Sequence, residues 1–352
     1  MALSGTSALA RVAMNPDCEV QVAMARAREP EPEFYRRVTG EPYDREFGER
    51  ISARRRGSKF EQNLHQNDAA LLREALSNFI GVSADRIYVR NLADEIPGTR
   101  DTVRIARYRR TIDIIADTIK GRRHPELIVH PELLLPVGGT NTGYLWVEPD
   151  FMAWDGRRAV YVPGDEKSFV VQENDVDPGD LERTRLQIGA QILALRHLYS
   201  KHAGADRVAD RGLLIFATPY GLRPHTPRVE HLDGAVHAVQ RAIEAFARHG
   251  GKIDRLRAAD DAPMHLLLSE LEPKFQEKCM STCVLAHHCR GRHIGRAADL
   301  GDLAVELLGP DADVRRLAGL IAGAPARDDG EVEMARELRR IAELLGLASR
   351  AA

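Results

Sequence analysis

Cysteine is scarce in this chain: four in 352 residues, too few and too unevenly spread for a disulfide framework. No apolar run approaches the roughly 20 residues that span a bilayer, so neither a transmembrane helix nor a membrane partner is expected. The opening residues, Met1 to Ala13, lack the basic-then-apolar layout of a secretion signal, and the expectation is a cytoplasmic protein. A G-x-x-x-x-G-K-[ST] phosphate loop is missing. Any ATP-driven unwinding would therefore come from a helicase or other protein partner. Net charge is nearly absent as well, −2 overall, which points neither toward nor away from nucleic acid. Internal repeats and low-complexity tracts are lacking too.

What is there is ordinary for a globular protein, 43% hydrophobic and 29% charged residues. The length suffices for one sizeable core with an accessory domain, or for two domains. The basic residues are bunched. Between Arg100 and Arg123 eight of them stand against three acidic residues, Asp101, Asp113 and Asp117. A second knot gathers Arg50, Arg54, Arg55, Arg56 and Lys59. Such patches can follow a phosphate backbone, because each neutralised phosphate releases condensed counterions. An arginine-rich helix face is more often plain solvated surface.

Pro30 to Pro42 reads as an irregular connection. From Gly57 to Phe79 the spacing of Phe60, Leu64, Leu71, Leu72, Leu76 and Phe79 predicts a helix. Strand-like runs follow at Arg86–Arg90, Glu126–Leu135, Tyr144–Trp154, Arg158–Val162 and Gly212–Ala217. Asp155-Gly156 signals a hairpin between the third and fourth of these. Helices are predicted over Leu181–Tyr199 and roughly Gly234–Arg248, with two or three more after Gly301, the last over Glu331–Leu347. The fold class is α/β.

One constellation carries chemistry. Glu148-Pro149-Asp150 ends one strand region and Gly164-Asp165-Glu166-Lys167-Ser168 ends the next. Two carboxylates on adjacent antiparallel strands can converge on a divalent ion, and Mg²⁺ or Mn²⁺ suits an oxygen-rich site. Asp165 and Lys167, two apart, share one face of a strand. The ammonium is then placed to orient or help deprotonate a metal-bound water and to offset charge in a phosphoryl-transfer transition state. Glu61, on the Gly57 helix, can supply a third oxygen. Gln187 and Gln191, four apart on one helical face, offer neutral amides to the lysine, the water or a phosphate. Each element alone is commonplace; their order, helix, strand, strand, helix, is not.

In that order the chain resembles the RecB-like branch of the PD-(D/E)XK nuclease superfamily. Gly57 to Glu61, Pro149-Asp150, Asp165-Glu166-Lys167 and Gln187 to Gln191 fall on its motif positions, with Gln191 where many relatives carry tyrosine. The resemblance implies a restriction-endonuclease-like core, a central mixed sheet flanked by helices. It also implies metal-dependent cleavage of DNA, single-stranded or at duplex ends, in repair, recombination or defence against foreign DNA. Catalysis would fall to Asp150, Asp165, Lys167 and Gln187, and Mg²⁺ or Mn²⁺ to Glu61, Asp150, Asp165 and Glu166. Glu166 would serve through its backbone carbonyl, or would replace Asp165 if the strand slips by one residue. Arg54, Arg55, Arg56, Lys59 and Gln191 are candidate nucleic-acid contacts.

Cys279-x3-Cys283-x5-Cys289 places three soft thiolates within eleven residues, a pattern for a soft metal. Iron–sulfur nucleases of the RecB-like group carry one cysteine before the nuclease motifs and three after. The resemblance thus implies a structural [4Fe-4S] cluster on Cys18, Cys279, Cys283 and Cys289. Zinc competes, because His287, His288 and His293 lie beside the trio and a Cys₃His set is common. The corresponding alternative function is a non-catalytic nucleic-acid-binding subunit. The expected layout is an N-terminal segment (1–56), a nuclease core (57–260), a cysteine segment (261–300) and a helical tail (301–352).

Overall fold

The computed structural model describes residues 5–27, 31–40, 42–43, 51–138, 143–170, 176–202, 210–218, 222–258, 270–276, 278–286, 288–289, 305–306, 309 and 312–344. It comprises two compact units, Met1–Glu272 and Pro273–Ala352. The first is α/β, built on a mixed six-stranded sheet. Its strands are β1 (Val89–Asn91), β2 (Leu127–Val129), β5 (Phe151–Asp155), β6 (Val160–Val170), β7 (Arg211–Ala217) and β8 (Arg228–His231), side by side in that order. β1 and β2 are parallel, as are β6 and β7; the other pairings are antiparallel.

Two of the strand runs expected to be continuous are each broken in two. The run 126–135 yields β2 and then β3 (Leu133–Pro136), and the run 144–154 yields β4 (Tyr144–Val147) and then β5. Among the described residues β3 and β4 pair with each other alone, in a separate two-stranded sheet. The cause is local. Pro131 and Pro149 carry no N–H for a ladder, and His130 adopts a left-handed φ of 52°. The two breaks face one another: Val129 pairs with Phe151, and the His130 N–H donates to the Asp150 carbonyl at 3.0 Å. The β3–β4 excursion therefore leaves and rejoins the sheet at His130 and Asp150.

The hairpin signal at Asp155-Gly156 is realised as the β5–β6 turn, with Trp154 opposite Tyr161. Asp155 Oδ1 accepts the N–H groups of Arg157 and Arg158, the self-capping that suits aspartate to turns. β6 runs past the expected Val162 to Val170, carrying Asp165 to Lys167 inside the sheet.

Helices cover the sheet. α1 (Gly5–Met14) packs on α7 (Pro178–His202) and α8 (Asp233–Ala258), burying Ala8, Leu9, Ala10 and Val12. α2 (Glu19–Arg26) also packs on α8. Residues 30–42, expected to be irregular, contain α3 (Glu31–Thr39) with Phe34 and Val38 buried. Tertiary burial of that apolar pair outweighs the three prolines of the stretch, of which Pro32 sits in the helix's first turn where it is tolerated. α4 (Ile51–Ile80) is not one rod: Gln66 is extended, and Asn67, Asp68 and Ala69 have φ of 53–59°. Asn and Asp tolerate the left-handed region. The kink lets Phe60 and Leu64 in one half and Leu72 and Leu76 in the other all be buried. α5 (Leu92–Glu95) and α6 (Arg100–Ile119) follow β1.

In the second unit α9 (Cys279–Thr282) is a single turn, and α10 (Val314–Ile321) packs on α11 (Asp329–Leu344). Arg316 ties these two by ion pairing with Glu331. Among the described residues no helix is long and apolar enough to cross a membrane.

Candidate active site

The sheet register assembles the site. Phe151 pairs with Gly164, which brings Asp150, one residue outside β5, beside Asp165. The N–H of Glu166 donates to Asp150 Oδ2 at 2.7 Å and fixes that carboxylate's direction. Lys167 Nζ donates to Asp165 Oδ1 at 3.0 Å and lies 2.9 Å from Oδ2. Gly164 is required here, because a Cβ on it would sit 2.1 Å from the Phe151 ring.

The electrostatics follow from crowding. Burial first, and then the neighbouring charge of Asp165, push the Asp150 carboxyl well above the usual carboxylate range. Burial lowers the Lys167 ammonium, but the Asp165 and Asp150 carboxylates outweigh it and raise its pKa. Lys167 therefore stays charged at neutral pH.

Alternation along β6 points Glu166 to the opposite face from Asp165 and Lys167. Leu214 and Phe216, in register with Asp165 and Lys167, pack on Ile188 and Ile192 of α7. α4 supplies the partner for Glu166: His65 Nε2 lies 3.1 Å from Glu166 Oε1. Glu166 Oε2 is buried and makes no hydrogen bond. Burial raises the Glu166 pKa despite His65, whereas His65 is raised because Glu166 outweighs burial.

The His65 ring meets that of His130 edge-to-face, centroids 4.8 Å apart. His130 Nε2 is 4.0 Å from Glu61 Oε1 and its Nδ1 3.7 Å from Glu148 Oε1. Burial, then the charges of His65 and Arg107, hold the His130 pKa down to about 4. One ligand atom each from Glu61, His65 and His130 lie within 4.8 Å of one another. The structure thus brings together Asp150, Asp165 and Lys167, and beside them, through Glu166, a Glu–His–His group. A Glu61 carboxylate oxygen lies within 4.8 Å of a ring nitrogen of each histidine.

The other expected residues are placed as follows. Gln187 Nε2 donates to Ser7 Oγ of α1 at 2.8 Å. Gln191 is buried, its Oε1 without a hydrogen bond. Arg55 and Lys59 are exposed on α4 and Arg56 is half-buried. The Arg54 side chain, Arg50, His287 and His293 lie outside the described residues. The Arg100–Arg123 stretch is not all surface, since Arg107 is buried and donates to the Ile96 carbonyl. Cys18, Cys279 and Cys283 are buried thiols and Cys289 is half-buried. The N–H of Gln276 donates to Cys279 Sγ at 3.4 Å.

Sequence reasoning missed His65 and His130. A signal for the first existed, because His65 is four residues beyond Glu61 on the same helical face. For the second it was the His-Pro step at the end of a strand, which only the pairing with Asp150 makes informative. No protein-family model and no curated protein matches the sequence.

Proposed function

We propose that this chain is a metal-dependent nuclease of the PD-(D/E)XK type that cleaves DNA and carries a structural [4Fe-4S] cluster. The observation that supports the reading best is the triplet on β5 and β6: two adjoining carboxylates, Asp150 and Asp165, with an ammonium 2.9–3.0 Å from the second. Buried like charges are costly without a counter-cation, and an all-oxygen pair suits Mg²⁺ or Mn²⁺. A bound ion would supply Lewis acidity at the scissile phosphate and a water of lowered pKa. Asp150 and Asp165 would hold it, and the Glu166 N–H fixes the direction of the Asp150 carboxylate. Lys167 offsets the negative charge that grows on the phosphoryl oxygens in the transition state. The preference for single strands or ends, and the roles in repair, recombination or defence, rest on the motif resemblance.

The cluster is assigned to Cys18, Cys279, Cys283 and Cys289. Its support is the burial of three of the thiols and the N–H directed at Cys279 Sγ, since hydrogen bonds to sulfur accompany metal thiolates.

The test is cleavage of labelled single- and double-stranded DNA in Mg²⁺ or Mn²⁺ by anaerobically purified protein, with iron, sulfide and zinc assayed on the same sample. Asp165→Asn and Lys167→Gln should each lower the rate at least about 100-fold while leaving the circular dichroism unchanged. Full activity in both variants overturns the assignment. DNA binding without cleavage by the wild type points to the non-catalytic subunit instead. A colourless protein with one zinc per chain replaces the cluster by a Cys₃His site.

A further inference from the structure

We infer that Glu61, His65 and His130 bind a second divalent ion, one of the transition metals that accept imidazole nitrogen: Mn²⁺, Fe²⁺, Co²⁺ or Zn²⁺. The donors come from separate parts of the chain, the first half of α4 and the break between β2 and β3, and their ligand atoms lie within 4.8 Å of one another. An ion about 2.1 Å from each donor needs them about 3 to 3.5 Å apart. Glu61 is the member that can close the gap, because its side chain is 47% exposed whereas His65 and His130 are at 10% and 17%. The two imidazoles set the metal class, since Mg²⁺ strongly favours oxygen.

A second, independent observation is the arrangement behind the rings. Metal-bound histidines characteristically hand their other nitrogen to a carboxylate. Glu166 Oε1 takes His65 Nε2 at 3.1 Å and leaves Nδ1 for the ion. Glu148 stands 3.7 Å from His130 Nδ1, on the side away from Glu61. The buried, unbonded Glu166 Oε2 marks a carboxylate held in place for more than one hydrogen bond. The left-handed backbone at His130 is a local cost at the residue whose ring completes the group, and such strain collects where geometry is functional.

This inference does not rest on phosphodiester cleavage, and its test reads binding. Full-length protein freed of divalent ions by chelator is titrated with Mn²⁺, bound ions are counted by electron paramagnetic resonance, and nitrogen ligation is read from the ¹⁴N couplings in the pulsed spectrum. Imidazole couplings are expected in the wild type. They should fall from two imidazoles to one, with the dissociation constant raised at least about 10-fold, in His65→Gln and in His130→Asn, the latter chosen because asparagine tolerates a positive φ, and vanish when both are replaced. Glu166→Gln should weaken binding about 10- to 100-fold while keeping the couplings. Asp165→Asn, which belongs to the cleavage site, should keep the nitrogen-ligated ion. A wild-type spectrum without ¹⁴N coupling overturns the inference even if the histidine variants fail to fold, as does a folded His130→Asn that keeps the two-imidazole pattern and the wild-type affinity.

Discussion

Replacing Asp150 by asparagine should make the metal-free protein more stable while removing its metal response. Asparagine keeps the shape of the side chain and can still accept the Glu166 N–H that now reaches Asp150 Oδ2 at 2.7 Å. It removes the group that, once ionised, would place a second negative charge beside Asp165. Like charges about 4 Å apart repel by about 4 kcal/mol at an effective dielectric constant of about 20. Lys167, 2.9–3.0 Å from Asp165, offsets part of this, leaving about 1 to 3 kcal/mol to be regained. For a domain of this size that is a rise in Tm of about 2 to 10 °C in chelator.

The pH dependence has a fixed sign. The folded pKa of Asp150 is raised, so above about pH 4 the unfolded chain gives up a proton that the folded protein retains. The destabilisation is absent below about pH 4, grows as the pH climbs toward the folded value and is constant beyond it. The gap in Tm between variant and wild type should trace that course. Added Mg²⁺ or Mn²⁺ at a hundred times its Kd should stabilise the wild type by about 2.7 kcal/mol, or about 5 to 10 °C, and the variant far less. Thermal unfolding followed by circular dichroism, with and without chelator, reads all of this. An Asp150→Asn protein that melts at or below the wild-type temperature in chelator at neutral pH, with its fold intact, refutes the crowding on which the site assignment stands.

Gly164→Ala should cost about 1 to 3 kcal/mol, because the new Cβ meets Phe151 ring atoms at 2.1–2.6 Å; denaturant unfolding measures it, and Phe151→Leu in the same chain should recover part of the loss. The depressed pKa of His130, about 4, against about 6.5 when unfolded, means that stability present at neutral pH is lost as the pH falls from about 6.5 toward 4. His130→Asn should flatten that decline by up to roughly 3 kcal/mol in chelator; parallel pH profiles for the two proteins would contradict it.

Much of this was legible in the chain because it depends on neighbours in sequence. The Asp155-Gly156 turn, the helical period through α7, and the two-residue spacing that puts Asp165 and Lys167 on one face are local rules, and the structure obeys them. α3 and the kink in α4 were not legible, because burial of Phe34 and Val38, and of Phe60, Leu64, Leu72 and Leu76 on both sides of Asn67–Ala69, is settled by what those residues pack against. Nor was the split of two apparent strands into four. Pro131 and Pro149 announce breaks, but only the pairing of Val129 with Phe151 shows that the breaks coincide. That coincidence sets His130 against Asp150, and the α4 kink follows directly on His65. The carboxylates and lysine could therefore be found by spacing alone. The histidines beside them are 65 residues apart in sequence, and only the fold brings them to one place.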